Sequence, residues 1–133
     1  MTYYLEKRPE DSATKVLIAS MVIDGTGTDP IRDGVVVVEG DRITEVGPRK
    51  RVSIPSGASR IELGARTLMP GMIDAHTHIT GTRSYSASED LITPHDLQVL
   101  RAAEDCFKLL RAGFTTVRDC GSEIALSLKR GIN

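Results

Sequence analysis

The chain has no tryptophan, two phenylalanines and three tyrosines, so aromatic residues make up only 4% of it. With so few rings to stack on bases, a single-stranded nucleic-acid platform is not expected. The net charge is −1 at pH 7, and without a basic excess there is no footprint for nucleic acid or an anionic membrane. No run of about 18 apolar residues occurs, so no membrane-spanning helix is expected. The first 14 residues form a polar leader carrying Glu6, Lys7, Arg8, Glu10 and Asp11, with no apolar core of a secretory signal. Cysteine is limited to Cys106 and Cys120. One disulfide is open by count, but two reduced thiols in a cytosolic protein are the simpler expectation. The expectation from these absences is a cytoplasmic protein with neither a nucleic-acid nor a membrane partner. What is there, 133 residues with 40% hydrophobic and 26% charged, suffices for a modest core.

Apolar, β-branched segments alternate with turn residues over residues 15–69. Val16–Ile23 reads as a strand, and the cluster Asp24-Gly25-Thr26-Gly27-Thr28-Asp29-Pro30 as a turn. Gly34–Glu39 and Arg42–Val46 flank Gly40-Asp41, which is the pattern of a tight hairpin. Gly47-Pro48 ends the hairpin, and Arg60–Leu63 and Thr67–Met69 are shorter strands. After Pro70 the pattern changes. Gly71–His78 reads as a strand and Thr80–Asp90 as a polar, irregular stretch. Thr93-Pro94-His95-Asp96 then has the form of a helix start, with threonine as N-cap, proline at the first helical position and an acid in the first turn. Leu100, Ala103, Phe107 and Leu110 recur at helical spacing and predict its apolar stripe. Gly113 stops it. Phe114–Arg118 is a second strand, and Ser122 is placed to cap a last helix through Lys129. Strand, helix, strand, helix is a βαβα order with a right-handed crossover.

The segment Pro70-Gly71-Met72-Ile73-Asp74-Ala75-His76-Thr77-His78 carries the chemistry. On an extended strand residues i and i+2 face the same side, so both imidazoles can meet one point in space. Neutral imidazole is a common ligand for divalent metals, zinc among them. The alternative is a pair of packed or hydrogen-bonded histidines. A catalytic zinc takes about three protein ligands and leaves one position open, so the pair alone is two-thirds of a site. Asp74 shares the face of the pair and is expected to orient a ligand or serve the structure. Asp119, at the end of the second strand, either approaches the metal side or caps the helix that follows, the two readings weighing at least equally. His95 is expected in solvent. Cys120 lies near a helix start, where a thiolate is favoured, but no general base stands beside it. Arg83, Tyr85 and Glu89 follow the histidine strand.

The Pro70–His78 segment, followed by Ala112-Gly113-Phe114-Thr115-Thr116-Val117-Arg118-Asp119, resembles the amidohydrolase superfamily, with most likeness to imidazolonepropionase-like and prolidase-like enzymes. The resemblance implies an α/β fold. It pairs a small β-rich, sandwich-like unit (residues 15–69) with the first βαβα portion of a TIM (β/α)₈ barrel (residues 70–133). It implies a metal-dependent hydrolase acting on carbon–nitrogen bonds of a small amide, cyclic amide or dipeptide through metal-activated water, with His76 and His78 on a divalent metal, zinc by ligand type. It also places the 83–89 region among substrate loops. Such a barrel takes about 250 residues, whereas about 60 follow Pro70 here. The chain is therefore expected to represent the N-terminal part of such an enzyme and to be inactive alone. A non-catalytic remnant or a β-rich binding module stays open beside it, and the oligomeric state is not specified.

Overall fold

A computed structural model describes residues 14–83 and 86–132. The chain divides into two compact units, before and after the Pro70–Gly71 bond.

The first unit is one sheet of five strands: β1 (Lys15–Val22), β2 (Ile31–Glu39), β3 (Arg42–Pro48), β4 (Ser59–Glu62) and β5 (Thr67–Leu68). Its order is β3-β2-β1-β4, with β5 continuing on β1 beyond β4. β1, β2 and β3 pair antiparallel, while β4 and β5 run parallel to β1. Glu39 pairs with Arg42 across Gly40-Asp41, as the hairpin pattern predicted. Gly40 has φ +59° and Asp41 does not share the sign, which is the signature of a type II′ turn. Alternate residues of β1 and β2 supply two separate cores, with Val22 at the end of β1 falling out of period to join Ala19. Val16, Ile18, Val35, Val37 and Val52 fill one side. Ala19, Val22 and Val36 fill the other, joined by Leu63 and Leu68 from the returning strands. A strand apolar on both faces reads as a continuous run, and Val35–Val38 is such a run.

The second unit holds β6 (Met72–Thr77), α1 (Ala87–Ile92), α2 (His95–Arg111), β7 (Phe114–Asp119) and α3 (Ala125–Ile132). β6 and β7 pair parallel, joined by the helical crossover. The core beneath them is Ile79, Ala102, Ile124 and Leu128, with Val99, Cys106, Leu109 and Val117 packed around it.

Three expectations need correction. The 80–90 stretch is not wholly irregular, since α1 begins within it. α1 then abuts α2, so Thr93 closes α1 by donating its N–H to Glu89 O and makes no side-chain cap, and Pro94 becomes the N-cap of α2. α2 also turns a different stripe inward from the one its sequence suggested. Leu100, Phe107 and Leu110 are 69%, 60% and 58% exposed, whereas Val99, Ala102, Cys106 and Leu109 meet the core. Both sets have helical spacing. The stripe that meets Ile79, Ile124 and Leu128 is the one built from Val99, Ala102, Cys106 and Leu109.

Candidate metal centre

β6 owes its position to Gly71, the residue just before it. An ideal Cβ on Gly71 would lie 2.7 Å from the Cβ of Thr115 and overlap the branch atoms of that side chain. Only glycine lets the start of β6 run this close to β7, where Met72 N–H donates to Gly113 O at 2.8 Å. From this anchor the register advances to Asp74↔Val117 and then to Thr77↔Asp119. Between those pairs β6 has two residues and β7 one, so a bulge falls at Ala75-His76. Bulges break the ladder locally and re-aim side chains.

At the end of β6, His76 and His78 are both exposed. Their ring centroids are 5.4 Å apart with the planes inclined by 54°. The two imidazoles thus share a neighbourhood and open to solvent rather than being walled off among aliphatic groups. Asp74 is half-buried, and its Oδ1 accepts the backbone N–H of His76 at 3.1 Å. It steadies the bulge and does not hold a ring. A cavity of about 400 Å³ adjoins His78, lined also by Thr77, Asp105 and Lys108. Among the described residues no group of three or more His, Cys, Asp or Glu side chains is arranged to hold a metal.

Asp119 is fully occupied with hydrogen bonds. Its Oδ2 accepts Ile79 N–H at 2.7 Å and the Ser122 hydroxyl at 2.7 Å. Its Oδ1 accepts the N–H groups of Gly121 at 2.9 Å and Ser122 at 2.6 Å. Partial burial pushes its pKa up, but the donors from Ile79, Ser122 and Gly121 outweigh that and hold the carboxyl well below the usual range. Of the two roles left open by the sequence, the helix cap is not the one found: α3 begins at Ala125 rather than near Ser122, and Asp119 braces the turn between β7 and α3 and ties it to the neighbouring strand. The Asp-x-Gly-Ser spacing was a readable signal for the local turn. Nothing local could have announced Ile79, 40 residues away.

The loop after β6 is clamped to α2. Arg83 pairs with Asp105 at 2.6 Å and Glu104 at 2.9 Å. Glu89 accepts from Arg101 at 3.1 Å and from the Arg83 N–H at 3.2 Å. Arg83 and Glu89 therefore hold the loop in place, and Tyr85 lies outside the described residues. His95 is exposed at the start of α2. Cys106 and Cys120 are both free thiols. Burial first, and the Asp105 charge second, push the Cys106 thiol up, against any nucleophilic use.

The chain is similar in sequence and fold to known proteins. The chain is 27% identical to ochratoxinase of Aspergillus niger over 143 residues, covering 96% of the chain and 29% of the relative. The crystal structure of that enzyme superposes with a TM-score of 0.74 and 25% identity over 91% of the chain and 28% of its own. Imidazolonepropionase of Cereibacter sphaeroides is 44% identical over 63 residues, 46% of the chain and 15% of the relative. A Xaa-Pro dipeptidase crystallised with methionine in its active site matches with a TM-score of 0.75 and 26% identity over 91% of the chain and 30% of its own. The chain spans less than a third of the length of each of these proteins. Among the described residues no helix is long and apolar enough to cross a membrane. The mixed α/β architecture is that of the N-terminal part of an amidohydrolase TIM-barrel enzyme. Residues 67–131, both histidines included, match the amidohydrolase family and belong to it.

Proposed function

We propose that this chain supplies the first two metal ligands, His76 and His78, of a metal-dependent hydrolase that cleaves carbon–nitrogen bonds in a small amide or dipeptide. The observation that carries the proposal is the ring separation at the open end of β6. With a zinc–nitrogen bond of about 2.0–2.1 Å and tetrahedral angles, two imidazoles on one ion have centroids about 5.2 Å apart. The 5.4 Å found here lies close to that. Two neutral imidazoles favour zinc over the hard cations magnesium and calcium. When bound, such a metal supplies a nucleophilic water near neutral pH and polarises the scissile carbonyl. The residues of this chain hold that position. Asp74 steadies the backbone of His76, and the Arg83–Asp105 and Glu89–Arg101 pairs fix the loop that borders it.

The names of the relatives, among them a Xaa-Pro dipeptidase and an imidazolonepropionase, support a carbon–nitrogen bond as the target. We read residues 15–69 as the β-rich unit and 70–133 as the opening of the barrel, in a cytoplasmic setting suited to two free thiols. Because no three-ligand cluster forms among the described residues, the chain by itself is expected to bind zinc weakly and to lack hydrolytic activity. Zinc titration followed by the ring-proton resonances of the histidines tests this. His76 and His78 should move along one common saturation curve, and either alanine substitution should abolish the shift of the other ring. Independent curves, or no response at millimolar zinc, would remove the metal assignment.

A further inference from the structure

The end of β6 is held at two points on either side of His78. Before it, Thr77 O accepts the N–H of Cys120 at 2.8 Å. After it, Ile79 N–H is donated to Asp119 Oδ2 at 2.7 Å. The bulge at Ala75-His76 takes the intervening backbone out of the regular ladder, so regular pairing with β7 does not fix the histidines there. The second of the two holds is a side chain, and its other three bonds root it in the turn that follows β7. We propose that Asp119 is a positioning residue, whose carboxylate ties the tip of β6 to the turn after β7 and thereby sets the direction of His76 and His78. Its consequence for metal affinity rests on the ligand assignment above; its consequence for ring orientation does not.

The two carboxylate oxygens divide the task. Oδ1 serves only the local turn, while Oδ2 carries the tie to Ile79 together with the Ser122 hydroxyl. Asp119→Asn keeps one acceptor oxygen for the turn and puts an N–H₂, which cannot accept, opposite Ile79. Ser122→Ala removes a hydroxyl partner and leaves the tie in place.

The experiment compares wild type, Asp119→Asn and Ser122→Ala by amide hydrogen exchange at Ile79, ring resonances of His76 and His78, and zinc titration. In Asp119→Asn the Ile79 amide should exchange at least tenfold faster, both rings should shift or broaden, and the zinc midpoint should rise several-fold. Amides of β1 and β2 should be unchanged, and Ser122→Ala should leave both rings at their wild-type positions. Faster exchange at Ile79 with unmoved rings would overturn the proposal, as would equal effects from Ser122→Ala. If Asp119→Asn unfolds the second unit, a backbone ester at position 79 deletes the one N–H and leaves Asp119 intact, and the same ring shifts are required. If wild type takes up no zinc, the ligand assignment fails and the ring resonances alone decide for or against the tie.

Discussion

Replacing Gly71 by alanine should loosen the strand that carries the histidines while leaving the five-stranded sheet untouched. The new methyl would sit 2.7 Å from the Cβ of Thr115. Carbon–carbon contacts settle at about 3.5–4.0 Å, so the strands would have to part by roughly 1 Å at that point. A Cβ is fixed to the backbone, so no change of rotamer relieves it. Two responses are open. If the strands stay together, the overlap costs about 1–3 kcal/mol, as overpacking does. If they part, the 2.8 Å bond from Met72 N–H to Gly113 O is stretched beyond use, and a net hydrogen bond of about 1 kcal/mol is lost together with the packing around it. Against this, alanine reduces the freedom of the unfolded chain and returns about 0.4–1 kcal/mol. The net expectation is a loss of about 2 kcal/mol, with the steric term deciding the sign.

The assay must resolve the two compact units separately, so amide exchange under native conditions is preferable to a global melt. A loss of about 2 kcal/mol appears as roughly 30-fold faster exchange at Met72 and its β6–β7 neighbours. Val16 and Val35 serve as internal controls, since both are buried in the other unit. The overlap is specifically with Thr115, so Gly71→Ala should cost far less in a Thr115→Gly background, with a coupling of about 2 kcal/mol across the double-mutant cycle. Unchanged exchange in Gly71→Ala, or a penalty that Thr115→Gly fails to relieve, would refute the close-approach reasoning.

Gly81→Ala is expected to be at least as damaging. Gly81 has φ +72°, and its Cβ would overlap Gln98 O and lie 3.0 Å from Gln98 C, which are backbone atoms of a helix and cannot turn aside. A shift of the loop against α2, read as loss of protection at Arg83 and Gln98, is the expected outcome, and a fully native spectrum would contradict it. The second unit should also be acid-sensitive through Asp119. The folded carboxyl is held below its unfolded value of about 3.9, so the stabilisation is complete above that pH and is lost as pH falls from about 4 toward the folded value. Protection at Ile79 and Ser122 should decline over that range, and Asp119→Asn should flatten the decline. A profile identical in both proteins would show that other groups govern it.

Much of this fold is written locally, and what is not local could not be read. The Gly40-Asp41 turn lies between two strands that it joins directly, so a few residues determine it. The parallel return of β4 onto β1 pairs Val16 with Arg60, and a four-residue exposed strand has no sequence mark naming that partner. In α2, helical spacing established the element but left two stripes equivalent. The choice between Ala102 and Ala103 depends on what the helix packs against, which is a property of the pair of elements. The end of α1 likewise removed Thr93 from the capping role its sequence context suggested. At the site the same division holds. The nearness of the His76 and His78 rings was legible because the two residues stand two apart in one short segment. The bulge beside them and the bond from Ile79 to Asp119 belong to two strands at once.

Ligand count and packing fall short in the same unit. A two-stranded parallel sheet is an uncommon arrangement, since parallel strands ordinarily have both faces covered. Here Ile73, on β6, is 68% exposed, and the stripe of Leu100, Phe107 and Leu110 meets solvent on α2. The two imidazoles, for their part, find no third ligand among the described residues. Removing either deficit requires further protein atoms beside β6 and β7. A surface that covered the apolar side chains alone would add stability and leave metal affinity as it is. A surface that also carried a histidine, carboxylate or thiolate within reach of the ring pair would raise both together. Stability and zinc affinity that rise in parallel on adding chain to this unit would thus distinguish an assembled metal centre from a covered core.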